Sequence, residues 1–173
     1  MAAHIEVLDG FEDYPGVSTA GVGLASYWNL VSGSGVALVA GRVGGQAIRM
    51  TQQSVQAFKV IEAANEKSVF FAFNTGGSWN AITLDYKIFE LTNGSDVHIS
   101  VRINYLRELI VIGGDGTELV RVPETIHVNT WYSFNVCWKG DTSTGTLQIY
   151  VNGELVVDLA NSNTQHVSSP DAN

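Results

Sequence analysis

Apolar and polar residues alternate along most of this chain with the period of two that marks a β-strand. In Ala81–Leu91, Ile82, Leu84, Tyr86 and Ile88 alternate with Thr83, Asp85 and Lys87. In His98–Leu106, Ile99, Val101, Ile103 and Tyr105 alternate with Ser100, Arg102 and Asn104. Trp131–Trp138 sends Tyr132, Phe134, Val136 and Trp138 one way and Trp131, Ser133, Asn135 and Cys137 the other. Leu109–Ile112 and Glu118–Val122 flank the Gly-rich turn at 113–116, which makes them a hairpin. Ser68–Phe73 is apolar on both faces, as in a central strand covered on both sides. Shorter strands are expected at Ala47–Thr51 and Val55–Ile61. Residues 1–45 are a loop-rich lead-in with one or two strands, around Tyr27–Val31 and Val36–Val39. No helical period stands out.

The stretch TLQIYVNGELVVDL, Thr146–Leu159, is a hairpin with Asn152-Gly153 at its tip. Asn-Gly is the preferred pair for a two-residue type I′ turn, which fixes the register of both strands. Unbroken pairing sets Tyr150 opposite Leu155, Ile149 opposite Val156 and Gln148 opposite Val157. One face then carries Leu147, Ile149, Val151 and Val156, and the other Tyr150, Leu155, Val157 and Leu159. Both want cover. Leu147, Ile149 and Val151 are expected to meet the core. Tyr150 and Leu155 are expected on a second face, covered by the lead-in, the tail or another subunit.

Many strands at roughly 8–12-residue spacing point to an all-β, antiparallel two-sheet sandwich or barrel. The 173 residues fit a single domain, 1–173, ending in a polar tail or arm at 161–173 that is either frayed or docked on a neighbour. Net charge is −8 and the nine basic residues form no cluster, so nucleic-acid binding is not expected. No apolar run reaches the roughly 20 residues that span a bilayer. The opening residues lack the basic and apolar regions of a secretory signal, so synthesis and folding in the cytoplasm are expected. The single cysteine, Cys137, excludes an intramolecular disulfide and reads as a small buried residue.

Candidate chemistry is sparse. A glycosidase needs two carboxyls about 5–10 Å apart in one cleft. Glu154 and Asp158 have the spacing of one strand face, but read more simply as solvated hairpin acids. Gly16–Ala20 falls one residue short of a nucleophile elbow. His4, His98, His127 and His166 show no metal-ligand spacing, and His98 reads as a surface residue opening a strand. Asp115 in the 113–116 turn is the candidate Ca²⁺ ligand, with nothing in the sequence to fix its co-ligands. No catalytic residue and no other cofactor is assigned. Among the aromatics, Trp138 reads as core, while Trp79, in the polar turn 74–80, can stack on a sugar or anchor a protein contact.

Asn129-Thr130-Trp131-Tyr132, followed by Gly145–Leu155 (GTLQIYVNGEL), resembles the closing half of a laminin-G-like domain. Asp9–Tyr14 (DGFEDY), Tyr27-Trp28 and Gly41–Arg49 (GRVGGQAIR) are similar to the opening of such domains in structural proteins of tailed bacteriophages. The resemblance implies a concanavalin A-like jelly-roll sandwich. It also implies a non-enzymatic virion protein, a capsid decoration or tail-surface component that docks through buried surface and terminal arms. Its partners would be other virion proteins, further copies of itself and surface glycans, and its location the virion. Glucanases of this fold carry an E-x-D-x-(x)-E strand that this chain lacks, so hydrolase activity does not carry over. The alternative is a lectin-type carbohydrate-binding module, with Trp79, Tyr150 and Leu155 as contacts.

Overall fold

A computed structural model describes residues 64–74, 85–127 and 129–166 in full, and strand pairing alone for five earlier strands. Contacts gather the chain into two units, Met1–Leu8 with Glu62–Asn173, and Asp9–Ile61. In the smaller unit β2 (Leu30–Ser32) pairs antiparallel with β5 (Gln56–Phe58), and β3 (Val36–Ala40) with β4 (Gln46–Met50).

The larger unit is a two-sheet β-sandwich. Its first sheet runs β1 (Ile5–Leu8), β6 (Glu66–Asn74), β11 (Trp131–Lys139), β12 (Gly145–Val151), β13 (Glu154–Ser162). All its neighbours are antiparallel except β1, which lies parallel to β6 at one edge. The second sheet runs β10 (Glu118–Val122), β9 (Leu109–Ile112), β8 (Asp96–Ile103), β7 (Tyr86–Asn93) and is antiparallel throughout.

Strict alternation makes β11 the spine of the first sheet. Tyr132, Phe134, Val136 and Trp138 are buried, while the residues between them are half-buried. Leu147, Ile149 and Val151 of β12 join them, as the pattern requires. The second sheet answers with Ile99, Val101, Ile103, Leu109 and Val111, all fully buried. Phe71 bridges the layers, its ring stacked on Phe134 at 5.1 Å and on Phe89 of β7 at 5.5 Å.

Several strands depart from simple alternation by β-bulges, and those in β13, β7 and β8 decide which residues reach the core. In β13 Tyr150 faces Leu155 as expected, but Ile149 faces Val157 and Leu147 faces Leu159. Val156 is the extra residue. An inserted residue shifts everything beyond it by one position and so reverses which face each side chain takes. Val157 and Leu159 therefore turn to the core, correcting the straight register. Ile88 is skipped likewise in β7, which brings Phe89 and Leu91 opposite Val101 and Ile99. In β8 the skipped residue is His98, between the Thr92–Val97 and Leu91–Ile99 pairs.

His98 is consequently not on the surface. It is fully buried, with its ring 5.3 Å from that of Trp138. Its Nδ1 accepts the backbone N–H of His166 at 3.1 Å, so that nitrogen carries no proton. This contact belongs to a clasp formed by the end of the arm. Trp138 Nε1–H donates to the Thr164 carbonyl at 2.6 Å, and the Thr164 hydroxyl donates to the Lys139 carbonyl at 2.6 Å. A side chain at Gly145 would collide with the Thr164 hydroxyl, and one at Gly114 with the backbone of Gln165. As far as His166 these contacts hold the arm in a slot of its own sandwich; residues 167–173 lie outside the described residues.

Candidate functional site

The register assembles the outer face of the five-stranded sheet as a grid. One rung crosses four strands as Phe70, Asn135, Tyr150, Leu155. Beside it runs Ser68, Cys137, Gln148, Asp158, and then Glu66, Lys139, Thr146. On the other side Ala72 faces Ser133, next to the Asn152-Gly153 turn. With neighbouring strands about 4.8 Å apart, the first rung extends about 14 Å.

Hydrogen bonds hold the polar groups in fixed orientations. Ser68 Oγ donates to Asn135 Oδ1 at 3.0 Å, and the Cys137 thiol donates to the same oxygen at 3.8 Å. Two donors on one oxygen set the amide's orientation. Asn135 Nδ2 is then left with no partner among the described residues. The Tyr150 phenol donates to Gln148 Oε1 at 3.4 Å, and Gln148 Nε2 donates to Asp158 Oδ1 at 3.1 Å. The chain of donors leaves the phenol oxygen's lone pairs available to a ligand. Asn152 and Gly153 both have positive φ, 53° and 85°, the geometry of a type I′ turn. Asn152 Oδ1 accepts the backbone N–H of Ser133 at 2.9 Å, tying the turn to the start of β11. Phe70, Ser133, Asn135, Tyr150 and Gly153 line a shallow hollow of about 210 Å³. Charges are few: Lys139 pairs with Glu66 at 3.3 Å, and Asp158 is held by Gln148.

The arrangement combines an apolar strip with fixed amide, hydroxyl and carboxylate groups. That chemistry suits a ligand with an apolar face and a rim of hydroxyls. Tyr150 and Leu155 do come together here. Tyr150 is half-buried among its neighbours, and Leu155, 42% exposed, stands directly opposite it. Trp79 lies outside the described residues.

Asp115 lies in the β9–β10 turn, on the other sheet. Its carboxylate accepts the Thr117 backbone N–H at 2.9 Å, and this bond holds its pKa below the usual carboxylate range. Among the described residues no three His, Cys, Asp or Glu side chains gather to hold a metal ion. Glu154 faces Val151, on the core side of the hairpin tip, whereas Asp158 faces Gln148 on the outer side. The bulge thus separates the two carboxylates that equal spacing would have paired. Cys137 is not an interior residue, because its strand position places it half-buried in the outer grid. Phe70, Asn135 and Gln148 were not singled out from the sequence. The available signal was the kind of polar residue that alternates with the core: Ser133, Asn135 and Gln148 are neutral hydrogen-bonders where a plainly solvated face would carry charges.

No protein-family model matches the chain, and no curated protein matches it. Among solved structures it is similar to an endo-β-1,4-glucuronan lyase from the fungus Trichoderma reesei. The TM-score is 0.62 at 18% identity, over 84% of this chain and 76% of the lyase. The fold is an all-β, antiparallel two-sheet sandwich of jelly-roll type. This likeness corrects two expectations, that the protein is a virion component and that it is not an enzyme. The protein whose fold it shares is an enzyme of carbohydrate chemistry, not a particle protein. Absent contiguous motifs were a poor ground for excluding enzymes, since a sheet face collects its groups from several strands far apart in sequence.

Proposed function

We propose that the protein recognises a polysaccharide on the outer face of its five-stranded sheet. One observation carries this reading: the Phe70–Asn135–Tyr150–Leu155 rung with the Tyr150–Gln148–Asp158 hydrogen-bond chain beside it. The aromatic and aliphatic groups supply a surface for the C–H face of a pyranose, and the fixed amides and carboxylate meet its hydroxyls. The fold likeness to a carbohydrate-active enzyme supports the same class of ligand. Titration calorimetry of the full chain against an oligosaccharide panel tests it. Tyr150→Ala should weaken binding at least about tenfold, as expected for loss of an aromatic anchor, while the melting temperature moves little. Failure of every oligosaccharide to bind sinks the proposal.

The likeness to a lyase favours a second reading of the same face, β-elimination on a uronate. The Tyr150 oxygen would take the C5 proton, the C4–O4 bond would break as the C4=C5 double bond forms, and the proton would pass to the departing O4, with the amides of Asn135 and Gln148 facing the sugar carboxyl. Ultraviolet absorbance of an unsaturated product tests it.

A further inference from the structure

We infer that Asn93, at the tip of the β7–β8 hairpin, is a site of spontaneous deamidation, and that Ser133 holds Asn152 against the same reaction. The sequence contains two Asn-Gly pairs, Asn93-Gly94 and Asn152-Gly153, each at a hairpin tip. Asn-Gly is the pair most open to this chemistry, because glycine has no side chain to shield its backbone nitrogen. Both pairs follow a β-branched residue, Thr92 or Val151, so in an unfolded chain they convert at similar rates. The fold treats them differently.

Asn152 is held at three points by one residue. Its Oδ1 accepts the Ser133 backbone N–H at 2.9 Å and the Ser133 hydroxyl at 3.3 Å, and its own N–H donates to the Ser133 carbonyl at 2.8 Å. These bonds direct the Asn152 amide at β11. To reach the Gly153 nitrogen, the amide must first give up both bonds on Oδ1. Two hydrogen bonds of ordinary strength favour the held position by at least about tenfold.

Asn93 closes the other hairpin opposite Asp96, with Gly94 and Ser95 as an exposed two-residue loop. Gly94 has φ 58°, the positive φ that the first loop position of a type II′ turn requires. Among the described residues no hydrogen bond holds the Asn93 side-chain amide. Its Cγ can therefore turn toward the Gly94 nitrogen without breaking a contact.

The reaction needs only water. The Gly94 nitrogen attacks Asn93 Cγ, and the bond from Cγ to the side-chain nitrogen breaks. That nitrogen departs as ammonia, carrying the proton lost from Gly94. Water then opens the cyclic imide at either carbonyl, giving aspartate, or isoaspartate with the backbone rerouted through the side chain. Nothing is oxidised or reduced. Aspartate at this position puts a second carboxylate opposite Asp96, which already lies 3.7 Å from His166 Nδ1. Like charges facing one another across two strands weaken the pair.

The test incubates the full chain at mildly alkaline pH, folded and in concentrated urea. Peptide mapping by mass spectrometry follows both sites, and an isoaspartyl methyltransferase marks the rerouted product. In urea the two sites should convert at similar rates. In the folded chain Asn93 should convert at least about tenfold faster than Asn152. Ser133→Ala removes one of the two bonds on Asn152 Oδ1 and should speed conversion there about threefold, with Asn93 unchanged. Comparable conversion at the two sites of the folded chain, faster conversion at Asn152, or conversion of Asn93 in urea alone overturns the inference. A folded Ser133→Ala chain that protects Asn152 as well as wild type does overturns the role given to Ser133. The wild-type comparison needs no variant, so it decides even where Ser133→Ala fails to fold.

Discussion

The two faces of the five-stranded sheet are built from the same strands, one residue apart, and they do opposite jobs. On the inner face Phe134, Val136, Leu147 and Ile149 are at most 1% exposed and pack against a second sheet. On the outer face Asn135, Cys137, Gln148 and Tyr150 are half-buried and bond to one another. The inner face needs volume and shape; the outer face needs direction. A core side chain can repack around its neighbours, whereas an amide held by two donors presents its remaining groups at one angle only. The comparison predicts that stability and binding come apart between adjacent residues.

The largest effect is expected from Phe134→Ala, which removes a fully buried ring stacked on Phe71. It should cost about 3–5 kcal/mol in chemical denaturation, with saccharide affinity unchanged for the molecules still folded. Equal loss of affinity and stability would erase the division between faces. The bulge comes next. Val157→Asn should cost about 2–4 kcal/mol by placing an amide in the core. Deleting the adjacent Val156 should cost only about 1 kcal/mol, because every pair between β12 and β13 survives. If the straight register were correct, the ranking would reverse.

Asn135→Ala, next door to Phe134, should cost about 1 kcal/mol and yet weaken saccharide binding severalfold by calorimetry. The smallest effect concerns Asp141, in the loop joining β11 to β12. Its carboxylate accepts the backbone N–H groups of Thr144 and Ser143, each at 2.8 Å. These bonds, Thr144's first, lower its pKa from an ordinary 3.8 to about 2. A depressed carboxylate stabilises the fold above its unfolded pKa and loses that contribution as pH falls through the folded value. The stability difference between wild type and Asp141→Asn should therefore be constant above about pH 5, shrink as pH falls from there to about 2, and reach its floor only below that. Denaturation curves across that interval check it.

Much of the fold was legible in the sequence. Period-two alternation alone places β11 and β12 and identifies which of their residues face the core, because no irregularity interrupts either strand. The Asn152-Gly153 turn and the Tyr150–Leu155 pair follow from a local rule about positive φ. The rest depended on groups that meet only in three dimensions. A strand does not announce a bulge when both residues beside it are apolar, so Val156 and Val157 exchange faces with nothing in their chemistry to show it. His98 looks like any polar residue at a strand's start until the skipped position turns it onto Trp138, where the arm's backbone supplies its partner. The candidate site is the extreme case. Phe70, Asn135, Tyr150 and Leu155 span 86 positions of sequence and form one row only because four strands align in register. Local alternation determined which residues could be inside, since it depends only on neighbours along the chain. Tertiary pairing decided which of the outside residues stand together, since that depends on the order and register of strands that no local pattern encodes.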